Sequence, residues 1–446
     1  MIKKVSLILC FGFGFLSAQN LPESVSLEEA VAFGLENNRN IINASLEVQK
    51  AYKEKWKTIA IGLPQINAGA DYQNFIELPT SLIPAQFFGG AEGEFAEVQF
   101  GTPQSMMAGV TLSQLIFDGS YLVGLESIQV YTNISENILE KTVLEIRKNI
   151  INTYYSVLLV RANISFVEKN RDNLKSNLEE LTELFRNGFE EEESVEQLRL
   201  TLSSVETQLR YAQNIERITL DMLKLLMGFP TDSPLFLKDK LESLTTTNLF
   251  ELPIEDKPSI ENNIDIKIAE NNLLSEGLLY KYERSKSMPR LSAFINGNYT
   301  GNSETFSFTE ADQKWFGASL LGVKLQVPIF SSFMRRASSQ KAKIAVEQAE
   351  TSLKETQERI FIEIQAANNE YRLAVENYFT SKENLALATR IKEKNQTKYF
   401  EGLASSFEFR EAQLQLFSAQ NNYIKSIQNV VEKKLNLETL LNTSQK

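Results

Sequence analysis

The sequence predicts an α+β membrane protein in which very long helices continue from a β-barrel that one chain has too few strands to close. Three observations predict it. The chain changes twice from residues alternating with period two to an uninterrupted helical stretch, at "LSQLIFDG" (112–119) and at "LQVPIFSS" (325–332). Each helical stretch runs to about 65–70 residues, roughly 100 Å at 1.5 Å per residue, which no compact domain accommodates. Only four segments carry the alternation, whereas about eight strands are the fewest that close a working barrel, and an open sheet edge cannot face lipid. Several chains must therefore share one barrel.

The chain opens "MIKKVSLILCFGFGFLSAQN". Lys3 and Lys4 form a basic start, Val5 to Phe15 an apolar run too short to cross a bilayer, and Ser17 and Ala18 a small-residue cleavage site, so residues 1–18 read as a removable export signal. Cys10, the only cysteine, lies in the middle of that run. A lipid-bearing cysteine is expected instead at the end of such a run, so the mature chain, from Gln19, is expected to hold neither thiol nor disulfide. Loss of Lys3 and Lys4 takes the formal charge from −11 to −13, an acidic balance that argues against nucleic acid as a partner. The absence of histidine excludes Ser-His-Asp and Cys-His sites and any His-ligated metal, and no Gly-rich phosphate loop is present. The acidic residues sit on helical faces, where solvation is their ordinary role. Neither catalysis nor a cofactor is expected.

Two halves match in order, the sign of an internal duplication. "GLPQINAGADY" (62–72) answers "SMPRLSAFINGNY" (287–299), "LSQLIFDG" answers "LQVPIFSS", "LFRNGFEEEESVEQLRL" (184–200) answers "KYFEGLASSFEFREAQLQL" (398–416), and "LKLLMG" (223–228) answers "LETLLN" (437–442). The last three pairs keep an almost constant offset. The expected division is a first repeat over 19–228, a Pro-rich linker over 229–259 and a second repeat over 260–446. The first half carries extra residues only in 75–104, read as a loop, where insertions are tolerated.

Around those loops the apolar positions alternate. Ile66, Ala68 and Tyr72, then Val110 and Leu112, then Leu321, Val323 and Leu325 share apolar faces expected to meet lipid, while Asn67, Asp71, Thr111, Lys324 and Gln326 take the wet side. A soluble sandwich gives the same alternation; the long helices decide against it. From Ser120 to Arg186 the only breaker is Gly124, and from Ser331 to Glu401 there is none. Leu174, Leu178, Leu181 and Phe185, then Val195, Leu198, Leu202, Val205 and Leu209, then Ile424, Ile427, Val431 and Leu435 repeat at coiled-coil spacing. Gly188 and Gly402 stand where each long helix must reverse, as glycine does just past a helix end. Each repeat is thus a short helix, a strand hairpin, a very long helix, a tight turn and a return helix.

This ordered set, with "GVTLSQLIFDG" and "GVKLQVPIF" ending the strands, "RNG" and "FEG" at the turns and "LLMG" closing the first repeat, resembles the TolC-like outer-membrane efflux protein family over nearly the whole mature chain. The resemblance implies a homotrimer whose chains give four strands each to a twelve-stranded barrel in outer-membrane lipid, continued by an α-helical barrel through the periplasm. It implies the passive exit duct of a tripartite export system, docked to a periplasmic membrane-fusion adaptor and through it to an inner-membrane pump of RND or ABC type. Counted from the turn glycine, the family's acidic entrance ring falls on Glu408 and Glu411, with Tyr399 as the aromatic partner upstream of the turn. Gly188, Gly402 and the acidic run from Glu190 to Glu193 mark the expected adaptor contact. Two positions depart from the family: Ala404 stands where some members carry an arginine latch, and Ser194 where the first repeat would repeat the acid. The alternatives are a type I protein-secretion duct of the same fold and a periplasmic coiled-coil scaffold.

Overall fold

Two long helices and their return helices dominate the chain, and short sequence signals fix where each starts and stops. The computed structural model describes residues 23–247 and 260–442. The expected signal 1–18, Cys10, Gln19 and residues 248–259 of the linker lie outside the described residues. Strand β1 (Ser24–Val25) leads to helix α1 (Leu27–Asn37), opened by a capping box in which Ser26 and Glu29 satisfy each other's backbone N–H. Helix α2 (Arg39–Ile61) follows after a single residue. Asn38 makes the break: its Oδ1 accepts from the N–H groups of Asn40 (2.8 Å) and Ile41 (3.3 Å), and its Nδ2 donates to the Leu226 carbonyl (2.6 Å). Where the sequence predicts one short helix, a buried asparagine makes two.

β2 (Gln65–Asn74) comes next, then β3 (Thr80–Pro84) and β4 (Phe95–Gln99), a small antiparallel hairpin inside the segment expected to be loop, then β5 (Gln104–Asp118). α3 (Gly119–Arg186) and α4 (Glu192–Met227) form the first long pair. Beyond α4 lie β6 (Phe236–Leu237) and α5 (Leu241–Thr247). The chain continues with α6 (Ile264–Ser285), β7 (Arg290–Ser303), β8 (Trp315–Gln326), α7 (Met334–Phe400) and α8 (Ser406–Leu441). Asn263 caps α6 as Asn38 caps α2, accepting from Asp265 and Ile266.

The described residues fall into two units, one within Met1–Ile42, Thr142–Pro258 and Ile364–Lys446, the other within Asn43–Lys141 and Ser259–Glu363. In the first unit Ile150, Tyr154, Leu223, Met227, Ile427 and Val430 are fully buried, and Leu174 packs with Val167, Val205 and Leu209 in an apolar cluster. Tyr154 also holds the segment after α4: its hydroxyl lies 2.7 Å from Asp239 Oδ2 and 3.1 Å from the Val25 carbonyl, and the same Asp239 oxygen accepts from Leu27 N–H (2.8 Å). This network clamps the parallel β1–β6 pair onto α3. Gly228 closes α4 with φ +72°, and a Cβ there would stand 2.1 Å from the Asn37 carbonyl oxygen, so no side chain fits.

In the second unit β2, β5, β7 and β8, in that order, make one antiparallel sheet whose first and last strands are free edges among the described residues. α6 is tied to α3 by ion pairs Glu140–Lys267 (2.9 Å), Lys141–Asp265 (2.8 Å) and Glu126–Lys281 (2.6 Å).

Candidate functional site

Cross-strand partners in a sheet point to the same face, so register fixes which residues share a surface. Ile66 pairs with Leu112, Leu112 with Ile295 and Ile295 with Leu321, one row of aliphatic side chains across all four strands. Val110, Val323, Leu325 and Tyr72 lie on this same face by alternation, as the sequence predicts. Ile66, Leu321, Val323 and Leu325 are 63–72% exposed, and Leu112, on an inner strand, is half-buried. At one end Tyr72 meets Phe306 (5.8 Å) and Phe308 (5.9 Å), and Phe308 meets Trp315 (6.2 Å), an aromatic cluster of the kind that sits at a membrane–water boundary. The sequence reading missed Phe306 and Phe308 because loop aromatics carry no period.

The opposite face runs Asn67–Thr111–Asn296 in register, with Asn296 Nδ2 donating to Thr111 Oγ1 (2.7 Å). β8 departs from this polarity: Phe316 and Leu320 occupy the polar face, and the Phe294 ring covers Gly322 so closely that a Cβ there would lie 2.4 Å from it.

The two strand-to-helix junctions, alike in sequence, differ in structure. At the first, β5 passes directly into α3: a bulge between Leu115 and Phe117 shifts the register, and Asp118 Oδ1 accepts from the N–H groups of Ser120 (2.8 Å) and Tyr121 (3.2 Å). At the second, residues 327–333 are irregular, Ser332 and Phe333 hold φ of 47° and 63°, and Phe330 is 75% exposed. No carboxylate stands at position 331 to cap the helix, and Ser331 Oγ reaches only the Arg335 N–H, at 3.4 Å.

Both helix reversals turn on the expected glycines, Gly188 at φ +79° and Gly402 at φ +72°. Glu193 accepts from Gln197 Nε2 (2.8 Å) in the first turn of α4, where acidic side chains favour the helix dipole. Glu408 closes a capping box at the start of α8: its Oε2 accepts from Ser405 N–H (2.8 Å), and Ser405 Oγ accepts from Glu408 N–H (3.3 Å). That backbone bond, then the bond from the Ser405 hydroxyl, lowers the Glu408 pKa below the ordinary carboxylate value. Glu411, one turn on, is exposed beside it. Tyr399 does not join these two acids. It stacks on Phe409, and its enclosed hydroxyl, with no hydrogen bond of regular geometry, is raised far above the usual phenol range by burial first and the nearby Glu190 carboxylate second.

The two hairpins of helices meet through polar contacts as well as apolar ones such as Phe417 on the Leu174 cluster, and the coiled-coil spacing conceals the polar ones. Asn170 Nδ2 donates to Gln420 Oε1 (2.7 Å), Gln396 Nε2 to Asn177 Oδ1 (3.0 Å), and Arg410 to Gln197. Asn177 takes the buried position beside which Leu178 is only half-buried, and Phe185 at the end of the predicted seam is 38% exposed.

Residues 258–443 match the model of the family described as outer membrane efflux protein. The second half of the chain is thus similar to the outer membrane efflux proteins. The fold extends the likeness over the rest. CusC, from structures describing its folding and transmembrane channel formation, superposes with a TM-score of 0.73 at 19% identity, covering 93% of this chain and 91% of that one. VceC of Vibrio cholerae gives 0.70 at 15% identity, covering 93% and 95%. The CmeC outer membrane channel of Campylobacter jejuni gives 0.70 at 19% identity, covering 93% and 85%. At these identities the shared property is the fold. None of the curated proteins matches the chain in sequence. An outer membrane efflux protein belongs in the outer membrane, and the exposed aliphatic face of the sheet suits that location.

Proposed function

We propose that the chain is the outer-membrane exit duct of a tripartite export system, an internally duplicated protein of which three copies close one twelve-stranded barrel and extend it as an α-helical barrel into the periplasm. The observation that carries this reading is the four-stranded sheet, with one aliphatic exposed face and two unpaired edges, whose strands lead into helices of 68 and 67 residues. A single layer of four strands buries neither face and satisfies neither edge, and only closure with other copies removes the edges. Duplication is supported by spacing: α4 and α8 both have 36 residues and start at Glu192 and Ser406, the same offset that separates Gly188 from Gly402.

The duct conducts passively from a periplasmic membrane-fusion adaptor and an inner-membrane pump, RND or ABC, to the exterior. The reversals around Gly188 and Gly402, with Glu190 and Glu193, are the adaptor contact. Glu408 and Glu411 line the entrance, where threefold symmetry brings six carboxylates together and favours cations over anions. Reconstitution in planar bilayers tests the reading: stable single-channel conductance with cation preference is expected, and bilayers that stay sealed with well-folded protein would refute it.

A further inference from the structure

The second strand-to-helix junction differs from the first in charge as well as in shape. Residues 58–140, which span the first hairpin and its junction, contain no lysine or arginine. Residues 313–346 hold Lys314, Lys324, Arg335, Arg336, Lys341 and Lys343 and no aspartate or glutamate, in a chain of net charge −11. Just past β8 the chain forms a concave site of 280 Å³, lined by Phe330, Phe333, Arg335 and Arg336 together with Ser287 and Ser331. The two rings meet edge to face with centroids 6.0 Å apart, yet both are exposed. Phe333, like Ser332, holds a left-handed backbone that is unfavourable for a bulky side chain, and no burial of its ring offsets that strain. Arg335 is fixed by donating to the Pro328 carbonyl (2.9 Å), while Arg336 beside it stays exposed.

We infer that this junction binds an anionic phospholipid of the periplasmic leaflet, its phosphate on Arg336 and Arg335 and the first carbons of its acyl chains along Phe330 and Phe333. Position argues for lipid. The exposed aliphatic residues of β8, Leu321, Val323 and Leu325, are followed by Val327 and Ile329, also exposed, so the site continues the lipid-facing surface. β8 begins at Trp315 in the aromatic cluster with Phe308 and ends beside the Phe330–Phe333 pair, which places aromatic rings at both ends of one strand, as at the two boundaries of a bilayer. Chemistry argues for an anionic headgroup. A guanidinium matches phosphate oxygens in charge and geometry, and the surrounding stretch offers no carboxylate of its own to compete. A free anion would leave the rings in water, and an apolar partner would leave the arginines without a counter-charge; a phospholipid satisfies both. This inference rests on the reading of the sheet as the wall of an outer-membrane barrel whose helices enter the periplasm.

The whole protein in detergent, incubated with phosphatidylglycerol, with phosphatidylcholine of the same acyl chains, or with glycerol phosphate, is read by native mass spectrometry for retained molecules. Phosphatidylglycerol should be retained about tenfold better than phosphatidylcholine, the margin of a charge-assisted contact, and glycerol phosphate should be lost. Arg336→Gln should abolish the preference and leave phosphatidylcholine retention as it was. Phe333→Asn, a residue that tolerates the left-handed backbone, should weaken retention of both lipids without loss of assembly. Equal retention of the two lipids by the parent, or a preference that survives Arg336→Gln, would overturn the inference and leave the rings to a neighbouring copy. Glycerol phosphate held as firmly as phosphatidylglycerol would make the site one for free anions and overturn it as well. Recovery of the folded protein without detergent would remove the membrane reading beneath the inference, a result that fractionation separates from the other two.

Discussion

Tyr399 of α7 stacks on Phe409 of α8, with ring centroids 5.2 Å apart and planes inclined by 12°. The stack holds the second reversal closed from within, since Phe409 is buried and Phe400 packs against both rings. Phe409→Ala should destabilise this end of the helices by about 3 kcal/mol, the ordinary loss for a buried ring. Tyr399→Phe keeps the stack and removes a hydroxyl without a regular hydrogen bond, so its cost should stay below about 1 kcal/mol. Thermal unfolding and hydrogen exchange over 396–412 measure both; equal losses would show that the hydroxyl, not the ring, secures the turn.

The capping box decides how the entrance acids must be tested. Alanine at Glu408 removes a helix cap worth about 1 kcal/mol together with the charge, so altered conductance would not identify a ring. Glu408→Gln keeps an acceptor for Ser405 N–H and removes only the charge. The double variant Glu408→Gln, Glu411→Gln should fold as the parent does and lose cation preference in planar bilayers. Unchanged selectivity would place the narrowest point elsewhere.

Register identifies the right control for lipid facing. Val323→Lys puts a charge on the aliphatic face and should cost about 2–4 kcal/mol near the bilayer midplane. Gln326 faces the opposite way but pairs with Arg290, so a lysine there would add like-charge repulsion. Asn67→Lys, opposite Thr111 on the polar face, is the cleaner comparison. Assembly yield in the outer membrane should fall for the first and hold for the second; equal yields would reverse the facing.

Gly228 and Gly188 share a left-handed backbone but differ in surroundings. Gly188→Ala meets nothing within 4 Å and should cost only the backbone strain, about 1 kcal/mol. Gly228→Ala adds the collision with the Asn37 carbonyl and should cost clearly more, or shift α1 away from α4. Chemical denaturation of the two variants gives the comparison.

Tyr155 supplies the pH dependence. Burial first, then the Asp239, Glu438 and Glu28 carboxylates, push its hydroxyl up to about 12. A raised folded-state value means stability fully present below the unfolded value near 10 and lost as pH rises toward 12, up to about 3 kcal/mol. Tyr155→Phe should therefore flatten the stability profile between pH of about 10 and 12; an unaltered profile would assign the alkaline loss to other tyrosines.

What the sequence made legible follows its periodicities. Missing proline and glycine marked α3 and α7 to within a few residues, and two lone glycines marked both reversals, because nothing else in such helices competes with those signals. Strand facing was legible at Ile66, Val110 and Val323, since one wet and one apolar side impose period two. Contacts between elements distant in the chain carry no period: Asn38 splitting the first helix, Tyr154 reaching Asp239, and the Asn170–Gln420 bond are invisible to spacing. The two junctions show the same limit. "IFDG" and "IFSS" look alike, yet an aspartate caps one helix directly and its absence leaves the other to begin after two left-handed residues.

The shared barrel is tested most directly by the mass of the particle extracted from the outer-membrane fraction, measured by light scattering in detergent with the detergent contribution subtracted. Three chains per particle are expected. A single chain per particle, or recovery of the folded protein from the soluble fraction without detergent, would contradict a barrel built from several copies.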